Sequence, residues 1–493
     1  MAAVSTAHIN VTRLSLRLHR DEKRIITRPF VVGSEHRLAA TVEHIRSLDS
    51  ETVAGLLDQV IARFGDRHQN VHDIFLRNFQ HVEKLTGHSD ELPRNYRLLI
   101  GSYFTMEHSI ASAALFNPSI VPDDDQSNVP PGGIRFVMSL RATGEGHVSC
   151  VVFRRGSIYA NGDVTLDPPS RYTTPIRQSP DNQYVKALYR RKLSEMTANM
   201  RIADELLEKL PEDFTFAELQ QVVGQWSAIR EENPQMAETA DTMLWLAHCN
   251  YRLELPPDAN ISELVIFPNT ENESKGIEDL RMVQFTHEDG KKSYFGTYSA
   301  YNGVRMLPML MEWKSGRTIH IHTMNGECAR NKGMALFPRR INGHFAMCGR
   351  LDGQNLYIMY SDMVHFWETA TLLAKPEYPW ELMLMGNCGS PIETEAGWLL
   401  ITHGVGPMRQ YSIGAMLLDI NDPTRIIGRL RDPLMTPTED EREGYTPNVL
   451  YSCGSMVFGN LLYIPYAMSD QTTGMATVEV EALIRALLAS PPG

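Results

Sequence analysis

At 493 residues the chain has room for two or three domains and a large core, and its 22% charged and 43% apolar content is that of an ordinary soluble protein. The formal charge of −12 argues against a general nucleic-acid binder, though not against a local basic pocket for a small anion. Six scattered Cys without CxxC spacing, no apolar signal-peptide core at the N-terminus and no apolar run of the ~18 residues a membrane span needs predict a cytoplasmic protein with reduced thiols, no signal peptide and no membrane partner.

Taken in order, residues 1–112 read as an extended and helical N-terminal region. An alternating stretch at 9–18 is followed by Arg20, Lys23, Arg24 and Arg28, a basic patch expected on a solvated face or interface rim. Asp49 or Ser50 caps a helix to about Phe64, and further helices are predicted over 68–86 and 93–115 from their apolar stripes. A Pro/Asp/Gly-rich link at 122–133 then leads into strands at 134–141 and 148–153. Residues 181–249 interrupt that pattern with predicted helices at 181–205, 215–230 and 235–248. Strand signals resume at 251–255 and 262–267, which marks the helical block as an insertion.

From 280 to 480 the chain is nearly all short strands joined by turns such as Asn342-Gly343 and Asp352-Gly353. A pair of hairpins recurs roughly every 50–60 residues, which radial repetition explains better than a sandwich does. The predicted fold is an all-β five-bladed β-propeller over 113–180 and 250–480. It carries an added α-helical N-terminal region (1–112), a helical insertion (181–249) and a C-terminal helix and tail (481–493).

Within this frame one stretch, 271–281, concentrates chemistry. Glu278 and Asp279 stand side by side next to Arg281, just before a strand-like run at 282–285. Carboxylates at the lip of a strand can be aimed and can have a raised pKa, whereas on an open loop they form an ordinary ion pair; both readings stand on spacing alone. Lys332 and Arg350 lie 18 residues apart at the two ends of a predicted hairpin, so both can reach one side of a cavity. Arg141 is placed near the inner edge of the first blade, where it can order Asp279 or touch a ligand. Tyr301, in a turn, is a candidate platform for the apolar face of a ligand, and Asp362 belongs to another blade edge. His320 and His322 share one strand face but no third ligand stands near them, so no metal is predicted.

Several phrases together resemble one family. They are Phe116-Asn-Pro-Ser119, Gly276-Ile-Glu-Asp-Leu-Arg281, Tyr298-Ser-Ala-Tyr-Asn-Gly303, Leu336-Phe-Pro-Arg-Arg-Ile-Asn-Gly343, Thr402-His-Gly-Val405, Thr446-Pro-Asn448 and Ser469-Asp470. Over about 113–178 and 250–480 the chain looks like glycoside hydrolase family 130, the β-mannoside phosphorylases and related β-mannosidases. The two helical regions look like features of a longer subgroup. The resemblance implies a five-bladed propeller with a central active site, and phosphorolysis of a β-mannosidic bond with inversion to give α-D-mannose 1-phosphate. Asp279 matches the general acid, whose proton is thought to pass through a sugar hydroxyl. Lys332, Arg350 and His403 match phosphate-binding positions. Arg340 and Arg409 are further candidates for the phosphate, and Asn117 and Asp470 match residues that hold the reacting mannose. Leu280 stands where many members carry Pro, and Arg339 where many carry Glu.

The chemistry fits that assignment. Cleaving a glycosidic bond needs a proton on the leaving oxygen and a nucleophile on the opposite ring face. Phosphate is already an anion, so a phosphorylase needs cations to hold it more than a second carboxylate to activate water. Glu278 serves here as a hydroxyl acceptor or as a partner for Arg281. The predicted partners are a small oligosaccharide and inorganic phosphate as co-substrate, with no cofactor and no nucleic acid, in a homo-oligomer. Two rivals remain: an inverting β-mannosidase on the same scaffold, with Glu393 or Glu395 as base, and a noncatalytic carbohydrate-binding propeller.

Overall fold

The computed structural model describes residues 9–31, 33–86, 92–129, 131–179, 182–196, 199–226, 233–256, 259–314 and 317–490. Its strands fall into successive antiparallel units. The first is Ala114–Pro122, Ile134–Thr143 and Ser149–Ile158. The second is Gly276–Thr286, Lys292–Tyr301, Met306–Trp313 and Thr318–Thr323. The first two units touch as one sheet through the pairing of Gly276 with Ser149. The third unit is Lys332–Leu336, Phe345–Arg350, Leu356–Ser361 and Ala370–Ala374. The fourth is Leu384–Asn387, Gly397–Val405, Tyr411–Leu418 and Ile426–Arg429. The last joins Leu450–Tyr451, Leu461–Met468 and Thr472–Glu479. Its outer strand is Val11–Leu18, so the two ends of the sequence meet in one sheet, with Val11 opposite Val478.

Side-chain alternation explains how these units hold together. Trp398 and Leu400 point to one face of their strand and pack on Phe337, Cys348 and Ile358 of the third unit. Leu399 and Ile401 point to the other face and pack on Leu462, Ile464 and Val478 of the last unit. Both faces are dry, which is why such strands read as unbroken apolar runs rather than as alternation. The same sharing links the second and third units through Phe285, Phe295, Leu336 and Met347. The first and second meet through Val137, Phe153, Met282 and Tyr298, and the last and first through Tyr463, Met475, Phe136 and Met138.

Apart from Val480–Leu488, which packs on the fourth and last strand units, the described α-helices gather in two places. Glu35–Arg46, Ser50–Phe64, Val71–Thr86 and Arg94–Tyr103 share a core of their own around Val53, Phe75, Phe79 and Leu99. Asp49 caps the second of them by accepting from Thr52 N at 2.8 Å. The predicted helix over 93–115 stops at Tyr103, because Thr105–Ser109 leaves the helix to pair with Ile25–Pro29. The helix Glu35–Arg46 has no counterpart in the sequence reading. Arg24 is also not on a solvated face: it is buried and donates to the carbonyls of Ser170 and Ser262.

The second group is Lys186–Ser194, Met200–Leu207, Phe216–Gly224 and Pro234–Cys249, packed around Tyr189, Leu206, Phe214 and Met243. The single helix predicted over 181–205 is two helices preceded by the strand Gln183–Val185, which pairs with Asp213–Thr215; residues 181, 197 and 198 lie outside the described residues. So do 227–230 of the predicted 215–230 helix. The group is pinned to the sheets by buried Lys192, whose Nζ donates to Asn250 Oδ1 at 2.7 Å and lies 3.5 Å from Thr323 O. All six Cys are unpaired and buried. Among the described residues no helix is long and apolar enough to cross a membrane.

Candidate active site

Three interruptions of strand register build the site. Along Gly276–Thr286 the pairing with Lys292–Tyr301 runs through Glu278–Ser299, breaks, and resumes at Arg281–Thr297. The extra residue is Asp279, held left-handed at φ 56°. On Ala114–Pro122 the register shifts between Phe116 and Ser119, with Asn117 at φ 49°. On Lys332–Leu336 it shifts between Lys332 and Ala335, with Gly333 at φ 85°. Non-glycine residues in this conformation carry strain and cluster at functional sites, because the bulge turns a side chain out of the sheet.

These bulges bring their side chains into one network. Asn117 Nδ2 donates to Asp279 Oδ1 at 2.5 Å. Arg141 donates to Glu278 Oε1 at 2.7 Å and to Asp279 Oδ1 at 3.4 Å. Lys332 Nζ donates to Glu278 Oε2 at 2.7 Å, so Glu278 stands between two cations. Arg281, fully buried, donates to the Asp279 carbonyl at 3.0 Å and to the Tyr451 hydroxyl at 2.5 Å. Lys332 is directly opposite Arg350 across the hairpin. Arg350 in turn donates to His403 Nε2 at 3.4 Å. His403 is buried between Tyr411 and Tyr451, and Gly386 makes room for its ring, since a Cβ there would sit 2.7 Å from His403 Cε1.

The electrostatics follow from this packing. Burial pushes the Asp279 pKa up, but the charges of Lys332, Arg141 and Arg281 and the Asn117 hydrogen bond outweigh it and hold the carboxyl at about 2. Burial, then the neighbouring Arg350 and Arg281, push the His403 imidazole well below its usual range, so it is the neutral acceptor for Arg350. Asp470 lies in the turn after Leu461–Met468 at φ 51°, within electrostatic reach of Asp279, Arg141 and Arg409. Burial raises its pKa; a Thr446 hydrogen bond opposes that, and the Asp279 charge adds to it. Several polar atoms around the network have no protein partner: Asn117 Oδ1, Arg141 Nε, Arg281 Nε, Arg350 Nε and Asn387 Oδ1. Buried groups rarely stay unpaired, so this is hydrogen-bonding capacity suited to a polar ligand.

The sequence-derived residues thus divide. Asp279, Glu278, Asn117, Arg141, Lys332, Arg350 and His403 form one connected network, and Asp470 adjoins it. Arg409 is exposed near Asp470. Three others are engaged elsewhere. Tyr301 donates to Gly303 O at 2.9 Å in the rim turn. Arg340 lies past the far end of the Lys332–Leu336 strand, donates to Gly343 O and covers the Phe345 ring at 3.9 Å. Asp362 is 83% exposed and bonds His344 at 2.6 Å. Sequence reasoning placed Arg281 beside the acids but missed Tyr451, Tyr411 and Asn387. Arg281 follows Asp279 by two residues, a usable signal; the other three come from distant strands and carry none.

The carboxylate pair bonded to Arg141 and Lys332, with Arg281, Arg350 and the neutral His403 beside it, concentrates charge and hydrogen-bonding capacity in one place. The family model described as beta-1,4-mannooligosaccharide phosphorylase matches residues 259–488. A 1,2-beta-oligomannan phosphorylase of Thermoanaerobacter sp. is 32% identical over 228 residues, 44% of this chain and 73% of that protein. A Beta-1,2-mannobiose phosphorylase of the same organism is 31% identical over 219 residues, 42% of this chain and 68% of that protein. The solved Beta-1,2-Mannobiose phosphorylase from Listeria innocua aligns at TM-score 0.45 and 18% identity, over 78% of this chain and 94% of that one. The chain belongs to glycoside hydrolase family 130, with extra N-terminal and inserted helices relative to the family core.

Proposed function

We propose that this chain is an inverting phosphorylase that cleaves a β-mannosidic bond with inorganic phosphate and releases α-D-mannose 1-phosphate. The observation that carries the reading is the contact of the Glu278 and Asp279 carboxylates with Arg141 and of Glu278 with Lys332, with Arg281 on the Asp279 carbonyl and Arg350 and His403 beside them. In the reaction a phosphate oxygen bonds to C1 of the mannosyl unit as the glycosidic C1–O bond breaks, and Asp279 supplies the proton for the leaving oxygen. The proton that hydrogen phosphate brings restores Asp279, so the cycle balances. Lys332 and Arg350, with His403 behind Arg350, hold the phosphate, and Asn117 and Asp470 hold mannose hydroxyls.

The low pKa of Asp279 comes from the field of Lys332, Arg141 and Arg281, which outweighs its burial. A phosphate seated there cancels much of the field that keeps Asp279 ionised, and a sugar excludes water from it. Both changes raise its proton affinity when a proton is required.

Five apolar cores, each shared by neighbouring units and the last returning to the first, support a five-bladed propeller around this site. The two relatives of which the chain covers more than two thirds are both named for β-1,2-linked mannosides, which supports a β-1,2-mannoside substrate. The hydrolase rival is less well supported. Glu393 is paired with Arg339 at 2.6 and 2.9 Å, and Glu395 is exposed. Incubation with β-1,2-, β-1,3- and β-1,4-mannobiose, with and without phosphate, is the test. Mannose 1-phosphate formed only with phosphate is the expected product; free mannose in both conditions favours the hydrolase, and no product from any of them ends the enzymatic reading for these substrates.

A further inference from the structure

A groove runs between the inserted helix Pro234–Cys249 and the rim of the second strand unit. It comprises two cavities of about 1060 and 370 Å³ that share Trp245, Glu271, Asn272 and Arg305. One wall is the helix, with Trp245 half-buried and Glu238 and His248 exposed. The other wall is made of two turns. Glu271–Glu273 leads into the strand that carries Asp279, and Asn302–Arg305 leaves the strand paired with it, Tyr301 being opposite Gly276.

Both turns are rigid. Buried Glu273 accepts from Tyr298, Tyr251 and the Asn269 amide at 2.7 to 2.9 Å. Asn302 Oδ1 accepts from the amides of Val304 and Arg305. Asn272 Nδ2 reaches Cys249 Sγ at 2.8 Å, which ties the helix to the rim.

We propose that this groove binds the distal hexose units of an oligosaccharide whose reacting end lies at Asp279. The inference rests on the phosphorylase reading for the position of that reacting end. An indole face flanked by a carboxylate, an amide and a guanidinium matches a hexose, which offers an apolar C–H face and an edge of hydroxyls. Glu271 and Asn272 stand in the turn that leads directly into the strand carrying Asp279, so the groove opens at the same end of that strand as the acid. The smaller cavity alone is within the range of sites that enclose a ligand, and the larger is just above it, so together they have room for more than one hexose. The inserted helices thereby set chain-length preference.

The test compares phosphorolysis of β-1,2-mannobiose, -triose and -tetraose by the wild type, Trp245→Ala and Arg305→Ala. Arg305 is on an exposed turn, so its variant folds even if the loss of Trp245 disturbs the helix. Both variants are expected to lose about tenfold or more in kcat/KM on the tetraose while the biose stays within about twofold. Equal loss at every length, or none, overturns the proposal. A separate arm titrates β-1,2-mannotetraose against tryptophan fluorescence, with a change expected in the wild type and lost in Trp245→Phe. Saccharide binding without any sugar phosphate keeps the groove and ends the phosphorylase reading. Turnover with no Trp245 signal and no length effect does the reverse.

Discussion

Glu278 shows how this site reconciles charge with burial. One carboxylate accepts from Arg141 on one oxygen and from Lys332 on the other, so two cations from different strand units are fixed by a single acid. Asp279 beside it is surrounded by the same positive field. Asp279→Asn keeps an oxygen for Asn117 Nδ2 and should leave the fold intact, while turnover falls about a thousandfold or more with the loss of the proton source; kcat and far-UV circular dichroism check this. The pH sign follows from the depressed pKa. The carboxylate adds stability that is complete above the unfolded value of 3.8 and lost as pH falls through about 2. Urea unfolding between pH 5 and pH 2 should therefore fall less steeply in Asp279→Asn than in the wild type. Arg350→Ala removes a cation opposite Lys332 and leaves His403 without its donor. It should raise KM for phosphate about tenfold or more, with a smaller change in KM for the saccharide; an unchanged phosphate KM removes Arg350 from the anion site.

At the scale of the element, register breaks rather than loops carry the chemistry. A regular strand would direct Asn117 and Asp279 onto a packed sheet face, as it does Leu115 and Ile277. The bulges turn them aside while flanking residues stay paired, so a rigid sheet presents them. His403 needs no bulge but depends on a missing side chain across from it. Gly386 pairs with it on the neighbouring strand, and a Cβ there meets the imidazole itself rather than a flexible chain end. Gly386→Ala should push His403 away from Arg350 and weaken phosphate binding, while the buried strand pair keeps the protein folded. Phosphate titration calorimetry with a parallel thermal melt separates the two effects.

At the scale of the molecule, strands from distant parts of the sequence share one sheet. Strand Val11–Leu18 covers the edge of Thr472–Glu479, and each sheet unit shares a core with the next. The inserted helices join this body through a buried amine. Burial, only partly offset by the Glu195 charge, lowers the Lys192 pKa from 10.5 to about 7. As pH falls from 10.5 towards 7 the unfolded chain takes up this proton before the folded one does, so the group's contribution to stability declines over that window and levels off below it. Lys192→Met has no proton to take up. Its stability relative to the wild type should therefore rise as pH is lowered from 10 to 7, measured by urea unfolding at each pH. A flat difference removes Lys192 as the titrating group.

What was legible in the sequence follows short-range rules. The hairpins, the Asp49 cap, the carboxylate pair at 278–279 and the cations at 332 and 350 each announce themselves within a few residues, and matching phrases named the family. Long-range pairing decided the rest. The helix predicted to 115 ends at 103 because a strand near residue 25 competes for those residues. Arg24 is buried because carbonyls at 170 and 262 receive it. Tyr451 belongs to the site only because its strand unit packs beside Arg281. Local propensity sets which elements can form. The contacts that choose among them, and that gather an acid, four cations and a neutral imidazole around one point, lie hundreds of residues apart and exist only once the sheets have packed.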